Sequence, residues 1–348
     1  MLNPMHILIV GAGFSGATVA RMLAEAGLKI TIIDQRNHVA GNAYDYENQY
    51  SIRVHKYGPH LFHTSNLDVV NFLSKFTAWT PYQHKVKAML SDGRLVTLPV
   101  NKETAELVGN ENIVDIFYRP YTKKMWDLDI EEVDPEILNR VNIRDDSNEL
   151  YFPNDSFQAL PSDGYTKLIQ KMLSHPLIEV RLETPFEKPM LTKFDHCFNS
   201  MSIDEFFDNI YGSLPYRSIK FHTQSFPVPR FFPVAVVNFT HKEKFTRVTE
   251  WKNLPNHEGD NEYSTLTFEE PCDFKENNFE RFYPVKDLNR INRTLYNRYC
   301  ALIPPNLTFI GRCGLYAYLD MHQAVASAMS IASKFLSANH HPNPDLAE

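Results

Sequence analysis

The chain has 348 residues, 43% of them hydrophobic and 22% charged, enough for about two domains and a large buried core. Its net charge of −7 argues against non-specific nucleic-acid binding, while permitting a local basic cleft for an anionic ligand. No signal peptide and no run of about 18 apolar residues is read, so a membrane span is not expected and a cytoplasmic protein is.

The first predicted element is a strand at His6–Val10, followed by Gly11-Ala12-Gly13-Phe14-Ser15-Gly16. Ala17, Val19, Ala20, Leu23 and Ala24 then recur at helical spacing. Gly27 ends that helix, and Leu28–Ile33 is a second apolar run closed by Asp34. Strand, glycine-rich turn, helix, strand and acid together form the βαβ fingerprint for a dinucleotide. Gly11 permits the tight turn, Gly13 lets the backbone approach a pyrophosphate, and Gly16 lets helix and strand pack closely. The helix N-terminus offers N–H groups and partial positive charge to phosphates. Asp34 stands where a ribose hydroxyl needs an acceptor. The bland alternative is a structural βαβ unit whose glycines serve packing alone.

Gln35, Arg36, Gly41 and Asn42 follow, and an arginine with small residues after the second strand suits the path of FAD. His60 and His63 lie three apart after a Gly58-Pro59 break, with no further ligands spaced for zinc. Asn66–Phe76 reads as an amphipathic helix, and Val86–Val100 as a hairpin around Asp92-Gly93. Lys102–Trp126 reads as mostly helical, Asp127–Asn139 as acidic with Pro135 near a helix start, and Ile143–Asp163 as an aromatic loop. Gly164–Ser174 is a predicted helix, with strands at Ile178–Leu182 and Phe194–Asn199. Tyr216–Phe221, Ala235–Asn238, Thr246–Lys252 and Tyr263–Phe268 read as an antiparallel sheet. A helix at Asp287–Tyr299, a returning strand at Leu307–Gly311 and a helix at Asp320–Leu336, capped by Asp320, complete the pattern. The polar tail after Ala338 is expected to be disordered. Cys197, Cys272, Cys300 and Cys313 are far apart, with no CxxC, and read as free thiols.

This order predicts an α/β chain with a discontinuous, Rossmann-like FAD-binding domain, an antiparallel-sheet substrate domain and a small, shortened helical domain. The expected boundaries are 1–80 with 176–215 and 300–338 for FAD, and 81–100 with 145–175 and 216–299 for substrate. Residues 101–144 form the helical part with a mobile loop, and 339–348 the tail. Arg312 before a helix starting at Asp320 fits a helix N-terminus aimed at an isoalloxazine ring.

The residues also resemble one family closely, the bacterial UDP-galactopyranose mutases. The resemblance is carried by GAGFSGA at 11–17, IIDQRNHVAGNAYD at 32–45, HKYGPHLFHT at 55–64, YTKKMW at 121–126 and ILNRVNIR at 137–144. It continues through GYTKLI at 164–169, YRSIKF at 216–221, FTRVTEWK at 245–252, FYP at 282–284 and GRCGLYAYLDM at 311–321. The family implies a flavoenzyme that interconverts pyranose and furanose forms of a nucleotide-diphosphate sugar. Reduced FAD acts there through a covalent flavin N5–sugar adduct, with no net redox. The resemblance assigns Arg140 and Arg247 to the diphosphate, with hydroxyls from Tyr151, Tyr283 and Tyr318. It places His63 beside the flavin with His60 nearby, Tyr121 on the nucleobase and Trp126 on a loop that closes over substrate. Arg312, Leu319, Asp320 and Met321 fall at flavin-contacting positions, with Asp320 and Tyr318 also near the reaction. The implied partners are a nucleotide sugar and a reductant such as NAD(P)H, the product serves surface polysaccharide, and a homodimer is possible.

Several positions depart from the family's pattern. The segment between Pro99 and Tyr121 is shorter by about thirty residues, which puts base specificity and the usual dimer contact in doubt. Met201-Ser202 replaces a Gly-Pro, Ala317 replaces a basic residue, and Trp251 stands where the family has histidine. These changes favour the same reaction on a related sugar such as dTDP-fucopyranose. The competing functions are an amine-oxidase-like FAD oxidoreductase and a non-catalytic nucleotide-sugar binder.

Overall fold

The computed structural model describes residues 5–132 and 143–339. The predicted helix start at Pro135, Arg140 and the tail from residue 340 lie outside the described residues.

The chain opens with β1 (His6–Val10), α1 (Phe14–Glu25) and β2 (Lys29–Ile33). The apolar runs of both strands are buried, and α1 packs on them through Ala17, Val19, Ala20 and Leu23. Short strands β3 (Asp45–Glu47), β4 (Arg53–His55) and β5 (Phe62–Thr64) follow. Next come α2 (Leu67–Ser74), whose Asn66 side chain caps two backbone N–H groups, and β6 (Trp79–Pro81). The predicted hairpin forms as β7 (Val86–Met89) and β8 (Leu95–Leu98). The helical segment consists of α3 (Lys102–Val108), a π-helical turn at Val114–Tyr118 and α4 (Arg119–Trp126). The middle of the chain supplies β9 (Phe157–Pro161), α5 (Tyr165–Leu173), β10 (Ile178–Arg181), β11 (His196–Asn199) and the short α6 (Ile203–Phe206). It continues with β12 (Tyr216–Phe226), β13 (Val236–Phe239), β14 (Arg247–Glu250), β15 (Ser264–Asp273) and β16 (Tyr283–Pro284). The chain closes on α7 (Ile291–Cys300), β17 (Leu307–Phe309), α8 (Gly311–Gly314) and α9 (Met321–Ala338).

Two large sheets organise these elements. The first is parallel throughout, in the order β10-β2-β1-β11-β17. Its order reverses between β1 and β11, where open α/β sheets place ligands beyond the carboxyl ends of their strands. There Ser200, just past β11, donates from both N and Oγ to Val10 O, and a Cβ on Gly11 would lie 2.0 Å from Ser200 Oγ. The second sheet runs β16-β12-β15-β14-β13-β7-β8. It is antiparallel except where β13 meets β7, so the expected antiparallel sheet contains one parallel seam.

Two expectations change. The loop expected over Ile143–Asp163 contains β9, the central strand of a three-stranded sheet between β5 and β6. A five-residue strand closed by Pro161 shows little period-2 signal, and its partners are remote in sequence. The strand expected to stop at Phe221 continues to Phe226 through His222-Thr-Gln-Ser225. That polar run lacks apolar alternation, yet Thr223 and Ser225 bond across the ladder to Thr267 and Thr265, each at 2.8 Å.

A Cβ on Gly16 would lie 1.9 Å from Gly11 O, so helix and turn are in backbone contact. Gly16→Ala should therefore cost about 1–3 kcal/mol of stability, as overpacking does. A denaturation midpoint equal to wild type would show that the turn opens freely.

Candidate active site

A cavity of about 370 Å³ lies between the second sheet, the π turn with α4, and the start of α9. The widened turn at 114–118 presents Phe117 and Tyr118 to it, and α4 presents Tyr121, Met125 and Trp126. The strands contribute His63, Asn238 and Arg247. His60, Tyr151, Tyr283, Arg312, Tyr318, Asp320 and Met321 complete the set of expected site residues that meet here, with Asn42 at one edge. Arg140 lies outside the described residues.

Arg247 on β14 stands directly opposite Glu269 on β15, and its Nε forms an ion pair with Glu269 Oε2 at 2.8 Å. Burial is the largest influence on the arginine and would lower its pKa, but Glu269, Tyr121 and Tyr283 together offset it, so the guanidinium stays charged. Glu269 is only 1% exposed, and Nε is the atom spent on it, which leaves the outer edge of the fork for the cavity.

Arg312 is tied differently: it donates to Leu319 O and Phe282 O, and its Cζ sits 5.1 Å from the rings of both Tyr283 and Tyr318. Those tyrosines stack at 5.4 Å, with Trp126 packed against both. Burial raises the Tyr283 phenol to about 12, and that of Tyr121 higher still, so both hydroxyls stay protonated donors. Asp320 forms a capping box with Gln323, whose Oε1 accepts from Asp320 N at 2.9 Å, so its expected capping role holds.

Sequence reasoning missed Glu269, Lys124 and Arg217. Lys124 on α4 donates to the carbonyls of Phe239, His241 and Phe245 and is lowered to about 8 by burial. Arg217 on β12 donates to Met125 O and Lys124 O at the C-terminal end of α4. The two cations fix the helix that carries Tyr121 and Trp126. None of the three left a sequence signal: Glu269 stands one residue beyond the strand expected at Tyr263–Phe268, and only the longer β15 places it opposite Arg247. Arg144, the second residue after the undescribed stretch, donates to the carbonyls of Leu150 and Tyr151.

The histidines are neutral acceptors or donors in defined tautomers. His60 Nδ1 donates to Gly58 O, and His60 N donates to His55 Nδ1. His55 Nε2 must then donate to His257 Nε2 at 3.0 Å, and His257 Nδ1 to Pro255 O. Burial is the main cause that depresses His60 and His257 to about 4 and His55 well below its ordinary value. It also takes His84 in the cavity wall to about 3 and His196 on β11 to about 4.

The expected cofactor residues fall in two groups. Gly11, Gly13, Phe14, Ser15 and Gly16 form the β1–α1 turn, and the α1 N-terminus has no side-chain cap and no acid in its first turn. Gly41 is at φ +53, and a Cβ on it would lie 3.1 Å from Gly13 Cα, so two turns meet backbone to backbone. Asp34 accepts from Ala12 N and Arg36 N, both at 2.9 Å, and so braces this turn. Gln35 is exposed, whereas Arg36 donates to Asn42 Oδ1 at 2.9 Å and pairs with Glu280 at 2.5 Å. The second group is His60, Arg312, Leu319, Asp320 and Met321, reached from the first past Asn42.

Residues 116–318 match the family model described as UDP-galactopyranose mutase, and residues 9–76 match that of an NAD(P)-binding Rossmann-like domain. The chain belongs to the UDP-galactopyranose mutase family. It is 32% identical to the probable UDP-galactopyranose mutase of Klebsiella pneumoniae, covering 97% of this chain and 96% of that one. It is also 32% identical to the dTDP-fucopyranose mutase of Escherichia coli, covering 96% and 99%. In fold it is similar to the crystal structure of reduced UDP-galactopyranose mutase, with a TM-score of 0.72, 15% identity and 96% of each chain covered. The mutase-family match spans Tyr121, Trp126, Arg247, Tyr283 and Tyr318, all of them in the cavity. No helix among the described residues is long and apolar enough to cross a membrane.

His55, His60, His84, His196 and His257 carry a pH dependence. Their folded values lie below the ordinary 6.5, so their contribution to stability is complete above that pH and is lost as pH falls toward 4. On unfolding at pH 5.5 these side chains should take up roughly four to five protons from solution. A denaturation midpoint that stays level from pH 7 to 5 would contradict their neutrality.

Proposed function

We propose that this mutase acts on a hexopyranose carried by a nucleoside diphosphate, UDP-galactopyranose or a relative such as dTDP-fucopyranose, and returns the furanose form. The observation that carries this reading is Arg247: a guanidinium paired with Glu269, facing a cavity that Tyr121, Tyr151, Tyr283 and Tyr318 also line. Such a set matches the bridging and terminal oxygens of a diphosphate. An amine-oxidase-like reaction has no use for it.

FAD fits the other end of the site. The uncapped α1 N-terminus and the Gly13–Gly41 approach offer a cradle of backbone N–H groups that side chains leave open. Residues Gly11 to Gly16, with Asp34, Arg36 and Asn42, would hold its dinucleotide part, and His60, His63, Arg312 and Asp320 its ring end. When bound and reduced, by NAD(P)H or another reductant, FAD supplies a nucleophilic N5 to the anomeric carbon of the sugar. Around that event Arg247, with Tyr283 and Tyr318, holds the departing diphosphate, so that it can return to the rearranged sugar. Arg140 is its second cationic partner in this reading. Tyr121 stacks on the base, Tyr151 donates to the diphosphate, and Trp126 packs over the tyrosine pair to exclude water. The furanose product serves surface-polysaccharide assembly, in the cytoplasm.

Arg247→Ala strands Glu269 without its cation, so Arg247→Lys is the cleaner test: it keeps the charge and loses the fork. It should lower turnover by about tenfold or more, since charge-assisted contacts are worth roughly 1.5–3 kcal/mol. Wild-type turnover in that variant would dismantle the clamp. A panel of UDP-, dTDP- and GDP-pyranoses tests the reaction itself. Activity should require prior reduction and consume no reductant per product, whereas oxygen uptake per product rejects a mutase in favour of an oxidase.

A further inference from the structure

His63 lies in the cavity wall, yet its ring is held from behind. Its Nδ1 is 2.6 Å from Asp155 Oδ2. The ring lies flat on Phe152, with centroids 3.5 Å apart and planes 9° apart. The backing segment is itself tied down. His63 pairs with Gln158 across the β5–β9 ladder, and Gln158 Nε2 donates to Phe152 O and Asp155 O. Ser65 Oγ accepts from Ser156 N at 3.1 Å and donates to Asn154 O and Asp155 Oδ1. An ionised carboxylate only accepts, so the proton in this contact belongs to His63 Nδ1. A neutral ring then has its lone pair on Nε2, away from Asp155.

The charged and titratable neighbours come from several elements. His322 on α9 stands edge-on at 5.4 Å, with Asp320 beside it. His84, ahead of β7, feels both His63 and Arg247. Asp155 is the anion in direct contact with the ring.

We propose that Asp155 is a positioning residue for the mutase reaction: it holds His63 as the Nδ1–H tautomer and leaves Nε2 toward the cavity as the acceptor. When Nε2 takes a proton, the Nδ1 proton stays on the ring and the imidazolium pairs with the ionised Asp155. The inference rests on reading this cavity as the reaction site, but its test does not depend on turnover.

Long-range ¹H–¹⁵N spectra of the FAD-loaded full chain, with His63→Gln to assign the signals, read the tautomer directly. The neutral ring of wild-type His63 should carry its proton on Nδ1. The amide of Asp155→Asn can present either oxygen or N–H to the ring, so the Nδ1–H tautomer should lose its excess over Nε2–H, and kcat should fall about tenfold or more with KM little changed. Asp155→Glu should restore most of the Nδ1–H population. A proton on Nε2 in the wild type, or a tautomer balance unchanged in Asp155→Asn, overturns the proposal. A wild type that turns over no nucleotide sugar defeats the functional reading and leaves the tautomer measurement standing.

Discussion

A charged guanidinium in a wall of aromatic rings depends on one contact, the ion pair of Arg247 Nε with Glu269. Removing an ion from water costs several kcal/mol, and only a partner at bonding distance compensates for it. The cross-strand register of β14 and β15 supplies that partner without a loop. The position of this buried cation is thus built into sheet geometry. The cation sits where both strands are paired on either side, and its outer edge is the part left to a ligand. Glu269 Oε1 is buried with no hydrogen-bond partner among the described residues, so the carboxylate's remaining charge is directed at Arg247 alone.

Around that pair the protein assembles its cavity from elements with different stiffness. The floor is sheet. The lid is α4, which is short and ends in left-handed Asp127. Such a helix has little stability of its own. Lys124 compensates by bonding three carbonyls of the neighbouring sheet and loop, and Arg217 by bonding two carbonyls of the helix's own last turn. Five hydrogen bonds from two cations pin Tyr121 and Trp126 over the tyrosine pair, and only local contacts need break for that lid to lift. The family resemblance expects a mobile loop here, and these are the contacts such a motion would exchange.

Much of this was legible in the sequence because it is local. The βαβ start, the hairpin and the final helix with its Asp320 cap all declare themselves within about 30 residues through periodicity, glycines and caps. Of the residues the family resemblance singled out, His60, His63, Tyr121, Trp126, Tyr151, Arg247, Tyr283, Arg312 and Tyr318 line one cavity, while the glycine-rich turn lies apart from it. What the sequence hid is pairwise and remote. Glu269 is one more acid until β15 lies beside β14. Asp155 is a turn residue until β9 slides between β5 and β6 and brings it 92 positions along the chain to His63. The polar half of β12 is invisible to a hydrophobic pattern because hydroxyl ladders, not apolar side chains, hold it.

The histidines show how electrostatics divides the site. His60 and His84 are neutral because burial and the nearby cations Arg312 and Arg247 both oppose protonation. His63 alone of the three has a carboxylate at bonding distance. The neutrality of His60 and His84 adds no positive charge to that of Arg247 and Arg312, and the carboxylate of Asp155 sets the His63 ring apart from the other two.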